Sequence, residues 1–232
     1  MPRSIIKYFL LCLILPVVLT LGCINTDADA DVLQETDDIY FDYQVRAQEG
    51  DDKLIVFLQF REYDEEGDAF TLPANMKIMF DGQQLVPDSS NMTGSYYEAY
   101  FPTIGFAGDH MITLVHGNKK EEISFHFSTL SLSQLPDTIK RNELHLKLDV
   151  PEGSLVRVLL IDTVFENNGI NRLDSIHNGI LTLNAEELAG LAVGPVQMEL
   201  ILEHEKELRT PKTAGGRLAV SYSLRREFIL VD

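Results

Sequence analysis

What most constrains this chain is a period-two alternation of apolar and polar residues that recurs from residue 38 onward. Ile39, Phe41, Tyr43 and Val45 alternate with Tyr40, Asp42, Gln44 and Arg46, the pattern of a strand with one buried face. Leu54 to Phe60 is almost continuously apolar, as expected of a central strand. Met76–Phe80 and Gln83–Val86 flank Asp81-Gly82, a pair that tolerates the positive φ of a tight hairpin. Tyr96–Phe101, His110–His116 and Glu121–Phe127 follow. The last two are joined at Gly117-Asn118, and Ile123, Phe125 and Phe127 share one face. About seven short strands with regular turns and no helical period predict an antiparallel sandwich over residues 38–129.

Residues 130–142 contain Pro136 and Asp137 without a clear period and are expected to link two domains. The alternation resumes at Leu144, Leu146, Leu148 and Val150, then turns at Pro151-Glu152-Gly153. Leu155 to Val164 reads as a second central strand, Glu166 to Asn178 as a polar loop, and Ile180–Leu183 as a short strand. Asn184 with Glu187 three residues later forms a capping-box signal for a short helix over Ala185–Leu191. Val196, Met198, Leu200 and Leu202 alternate. Glu203 to Arg217, with Pro211 and Gly215-Gly216, reads as a long charged loop. Leu218–Leu224 and Phe228–Val231 complete a second sandwich over 143–232. The expected fold is all-β, with two tandem antiparallel sandwiches.

The N-terminus has a different character. Arg3 and Lys7 precede an apolar run from Tyr8 to Leu21, interrupted by Pro16. The run has the length of a signal-peptide core, about 7–15 residues. It is short of the roughly 20 residues that span a bilayer. Gly22 supplies a small residue before Cys23. This ending resembles the bacterial lipobox, which implies cleavage after residue 22 and a diacylated Cys23 that anchors the chain in a membrane. Cys12 leaves with residues 1–22, so Cys23 is the lone cysteine that remains. Residues 23–37 carry Asp27, Asp29, Asp31, Glu35 and Asp37 with little apolar content. They read as a solvated tether spanning about 20 Å r.m.s.. Acids directly after the lipid cysteine also resemble the surface-export signals of Bacteroidetes lipoproteins.

Charge excludes one class of partner. With 36 Asp and Glu against 19 Lys and Arg, the net charge is −17, so a nucleic-acid partner is not expected.

The motifs of common enzymes are missing. There is no Gly-x-Ser-x-Gly elbow and no phosphate-binding loop. His110, His116, His126, His145, His177 and His204 are scattered, without the i, i+4 helical pair of a zinc protease. His116 and His126 fall on adjacent strands, where surface histidines are the simpler reading. The acidic run Asp64, Glu65, Glu66 and Asp68 reads as a hairpin tip and, second, as a calcium loop. Asp162, Glu166, Asp174 and His177 flank one loop, where a metal or catalytic site is the sharper alternative to an ordinary polar loop end. Tyr96, Tyr97 and Tyr100 are the densest aromatic cluster. Tyr96 and Tyr100 share a face opposite Tyr97. The cluster reads as sandwich packing or, second, as a platform for sugar rings.

The strand pattern of both halves resembles the tandem immunoglobulin-like domains of bacterial envelope lipoproteins, without the Trp or the Cys pair of antibody domains. The resemblance implies a lipid-anchored cell-envelope protein, at the outer membrane on its periplasmic or outer face. It would be non-enzymatic and without a cofactor. It would present its domains to an envelope protein or serve as an accessory subunit of a surface assembly. A surface glycan-binding module and a metal-dependent hydrolase are the two alternatives.

Overall fold

The computed structural model describes residues 38–164, 169–209 and 214–232. Cys23, the apolar run before it and the acidic tether lie outside them. Within the described residues the alternation at Ile39 becomes β1 (Ile39–Gln48), with Phe41, Tyr43 and Val45 buried. β2 (Lys53–Glu62), β3 (Met76–Phe80), β4 (Gln83–Gln84), β5 (Pro87–Ser90), β6 (Gly94–Pro102), β7 (Gly108–His116) and β8 (Lys119–Phe127) follow. They make two facing sheets, β1-β2-β6-β5 and β4-β3-β7-β8. This is the ABED and CFG arrangement of an immunoglobulin-like sandwich, with a short C′ strand added beside C.

The second half repeats the plan. Its strands are β9 (Ser131–Leu132), β10 (Thr138–Lys140), β11 (Leu144–Asp149), β12 (Leu155–Asp162), β13 (Ile170–Ser175), β14 (Ile180–Leu183), β15 (Gly194–Glu207) and β16 (Gly215–Val231). One sheet is β14-β11-β9. The other is β13-β12-β15-β16, with β10 parallel to the end of β16. The segment 130–142 therefore carries two short strands, both paired into the second half. The helix is α1 (Ala185–Ala189), between β14 and β15. The Asn184 side chain accepts from the Glu187 N–H at 2.9 Å, and the Glu187 carboxylate accepts from the Asn184 N–H at 3.0 Å.

Two expectations are corrected. Within the stretch from Glu166 to Asn178, which reads as a polar loop, Ile170–Ser175 form β13 and pair with β12. The alternation is hidden because the strand has only Ile170 and Leu173 as large apolar residues, on opposite faces. The described parts of the stretch from Glu203 to Arg217 are largely strand, not loop. Glu203–Glu207 continue β15 and pair with Ser221–Arg217 of β16. They left no period-two signal because His204, Glu205, Lys206 and Glu207 are all exposed and no apolar face is buried. The extended hairpin has a large consequence. Gly215–Ser223 of β16 pair in parallel with Tyr40–Gln48 of β1, so the two sandwiches share one nine-stranded sheet. The added strands cover the edge of β1 that would otherwise stand open. Gly216 permits the approach: a Cβ there would lie 2.5 Å from the Phe41 carbonyl oxygen.

Each sandwich has its own aromatic or aliphatic packing. In the first, Phe41, Tyr43, Phe60 and Tyr97 meet on one sheet, with Phe41 and Tyr43 stacked at 5.4 Å and Phe60 edge-on to both. In the second, Val156, Val158 and Leu160 of β12 pack with Val196, Met198 and Leu200 of β15 and with the buried Leu188 of α1. Tyr222 of β16 lies edge-on to Phe127 of β8 at 6.3 Å, joining the two cores. Burial of each large side chain is worth roughly 1.5–3 kcal/mol, which allows packing without a disulfide.

Candidate functional site

The structure separates most of the residues that sequence reasoning grouped. Asp162 accepts the Val164 and Ala192 N–H groups at 2.9 and 2.7 Å, which places it in turn support. Asp174 pairs with Arg172, which also reaches Glu187. His177 Nδ1 lies 3.0 Å from Glu152, whose carboxyl that contact and the Asn178 N–H hold below its ordinary range. Glu166 lies outside the described residues. These side chains serve separate local contacts. Among the described residues, no group of three or more His, Cys, Asp or Glu is arranged to hold a metal ion.

The acidic tip closes on itself. Asp64 accepts the Glu66 N–H at 2.9 Å, and Arg61 donates to the Gly67 carbonyl at 3.1 Å. His116 and His126 stand at opposite ends of the β7–β8 hairpin: His116 faces Lys119, and His126 faces Asp109. His126 Nδ1 meets Asp109 at 2.7 Å, and His116 meets Asn75 at 3.2 Å.

The tyrosine cluster divides as its alternation requires. Tyr97 is buried, and its hydroxyl accepts the Leu72 N–H at 3.1 Å. Tyr96 and Tyr100 are on the outer face. There Tyr96 stacks on Phe57 of β2 at 5.1 Å, and Tyr100 stands opposite Ile55.

The surface that sequence reasoning missed is on the second half. Leu155 to Val164 reads as a central strand, and β12 is one, between β13 and β15; among the described residues its sheet is covered on one side only. Val156, Val158 and Leu160 point inward. Leu155 and Ile161 are 45% and 60% exposed on the outer face, and Leu173 of β13 is 45% exposed beside them. Leu159 and Ile201 lie between. Two ion pairs stand within this apolar area. Arg157 holds Glu203 with contacts at 2.6 and 3.1 Å, and Arg225 holds Glu199 at 3.1 Å. The bond to Glu203 raises the Arg157 pKa. The result is an aliphatic surface whose nearby charges largely satisfy one another, on a chain that is otherwise strongly acidic. Exposed aliphatics in a group mark interaction surfaces more often than catalytic ones.

A concavity of about 420 Å³ lies where His126, His204, Leu202 and Tyr222 meet the turn at Gly153.

No protein-family model matches the chain. No curated protein matches it either. Among solved structures it is similar to a three-domain I-band fragment of titin, I67–I69, at 13% identity and a TM-score of 0.25 over 83% of this chain. It spans 65% of that fragment's length. It is also similar to the complex of Dpr11 IG1 bound to DIP-gamma IG+IG2, at 10% identity and a TM-score of 0.24, covering 81% of this chain and 98% of that one. A third is the titin Ig tandem A164–A165, at 10% identity and a TM-score of 0.24, covering 82% and 98%. The immunoglobulin-like assignment itself comes from the strand order of each half.

Proposed function

We propose that this is a lipid-anchored cell-envelope protein that performs no reaction and uses its fused pair of immunoglobulin-like halves to hold another protein. The observation that carries the reading is the outer face of β12 and β13, where Leu155, Ile161 and Leu173 stand 45–60% exposed. Such a face loses little on desolvation and gains by being covered. Anchoring rests on the Gly22-Cys23 ending and the acidic tether after it. The shared sheet supports the reading by letting the two halves act as one body.

Two measurements on intact cells test it. A photo-crosslinking residue at Ile161 should capture a defined envelope protein, while the same residue at the exposed Met92 should not. Equal capture at both positions removes the assigned face. Cys23→Ala should release the protein from the membrane fraction, and retention after a carbonate wash removes the anchor.

A further inference from the structure

We propose that β13 is the edge through which two copies of this chain join, pairing antiparallel about a two-fold axis at Leu173. The argument starts from which strand edges are open. Ile176 donates its N–H to the Ser154 carbonyl at 2.8 Å on the β12 side. Hydrogen-bonded and outward positions alternate along an antiparallel strand, so Asn171, Leu173 and Ser175 turn their N–H and C=O groups away from β12. Those groups face an edge of the sheet that no strand covers among the described residues.

Other edges among the described residues are guarded. β5 has four residues and begins at Pro87, β10 has three and ends at Lys140, and β4 and β9 have two each. On β14 the Thr182 carbonyl is taken by Arg172 at 2.7 Å. β8 opens with Lys119, Lys120, Glu121 and Glu122, and Lys206 reaches its Ser124 carbonyl at 3.3 Å. β13 has six residues without Pro or Lys, and its outward face carries Leu173.

The occupant follows from the residues themselves. Residues 170–176 read Ile-Asn-Arg-Leu-Asp-Ser-Ile. Paired antiparallel with itself about Leu173, this stretch sets Leu173 against Leu173 and Arg172 against Asp174 of the other copy. Asn171 then meets Ser175, and Ile170 meets Ile176. Opposite charges stabilise directly facing positions and like charges destabilise them, so this register suits a second copy of the same strand. Each Arg172 already lies beside its own Asp174, so the join forms a quartet of alternating sign. Such a contact is isologous and closes at two copies. It also runs the aliphatic outer faces of both copies together across the axis. The proposal does not depend on the binding role assigned to that face.

The test uses the full chain in detergent, with Cys12 and Cys23 replaced by Ser so that an introduced thiol is the sole one. In this register the two Leu173 Cα atoms stand about 5.5 Å apart. That lies inside the range a disulfide bridges. Leu173→Cys should oxidise to a covalent dimer, and Ser175→Cys should not. The pair Asn171→Cys with Ser175→Cys should cross-link again. By sedimentation, Asp174→Arg should shift the equilibrium to monomer, and Arg172→Asp combined with Asp174→Arg should restore the dimer. Circular dichroism confirms that each variant is folded. A chain that stays monomeric at its highest soluble concentration overturns the proposal. So does cross-linking at Ser89→Cys on β5 that equals that at Leu173→Cys.

Discussion

Arg217 on β16 stands directly opposite Asp42 on β1, and its Nε donates to Asp42 Oδ1 at 3.0 Å. The two residues are far apart in sequence and belong to different halves. Asp42 is 6% exposed, and its carboxylate raises the Arg217 pKa through that bond. Removing either partner therefore has unequal effects. Asp42→Ala leaves an arginine that reaches water, at a cost of about 1 kcal/mol. Arg217→Met leaves the buried carboxylate with only the long Gln44 Nε2 contact at 3.4 Å, at a cost of about 3 kcal/mol. Urea midpoints of the two variants check the order, and a larger loss for Asp42→Ala would contradict it.

The parallel β1–β16 contact should make the described body unfold as one unit. Glu49 donates its N–H to the Ser223 carbonyl at 2.8 Å, so the odd residues of β16 face β1. Ser221→Pro removes one of those donors and should cost about 3 kcal/mol. It should also split a single calorimetric transition into two. Two resolved transitions in the unaltered protein would show that the shared sheet does not couple the halves.

Just past the last β1–β16 pair, Arg226 takes both oxygens of Glu49, the Nη2–Oε1 contact being 3.0 Å. This bond holds the Glu49 carboxyl below its ordinary 4.5. A folded-state pKa below the unfolded one means stability that is present at neutral pH and lost as pH falls through the folded value. The pair is about a third exposed, so it is worth about 0.5–1 kcal/mol. Glu49→Gln should lose that amount at pH 7 and almost none near pH 3. Guanidinium melts at the two pH values measure it.

Tyr43 is fully buried, and its hydroxyl has no hydrogen-bond partner among the described residues. Burial first, and the Glu121 charge second, push its pKa well above 10.0. Tyr43→Phe should therefore raise stability by about 1 kcal/mol. Above pH 10 the unfolded chain ionises this phenol while the folded chain does not, so stability falls with rising pH. The slope from one such group is about 1.4 kcal/mol per pH unit, and Tyr43→Phe should lack that share of it. An unchanged alkaline slope in the variant would refute the assignment.

Most of the longer strands, the turns and the helix cap were readable because each is a local signal, whereas β13, with two large apolar residues on opposite faces, was not. Asp81-Gly82 sits in the β3–β4 turn, with φ of +47° and +80°, and Asn184 and Glu187 make the reciprocal cap their spacing announces. The tyrosines divided by face as alternation requires. The groupings proposed at loop ends fared otherwise. Asp162, Asp174 and His177 lie near one another in sequence, but each found a closer partner in Ala192, Arg172 or Glu152. Proximity along a chain does not set where side chains converge.

The sequence by itself determined the all-β class and which residues of most strands face inward, because period two follows from the backbone geometry of a single strand. Tertiary structure alone decided that β15 and β16 outrun their own sandwich, that β16 lies parallel to β1, and that one face of β12 stays open. Those outcomes depend on which edge a strand meets. Glu203–Glu207 bury no face and are held by hydrogen bonds to β16, which are blind to side-chain type. A pairing made by backbone alone leaves no pattern in the sequence.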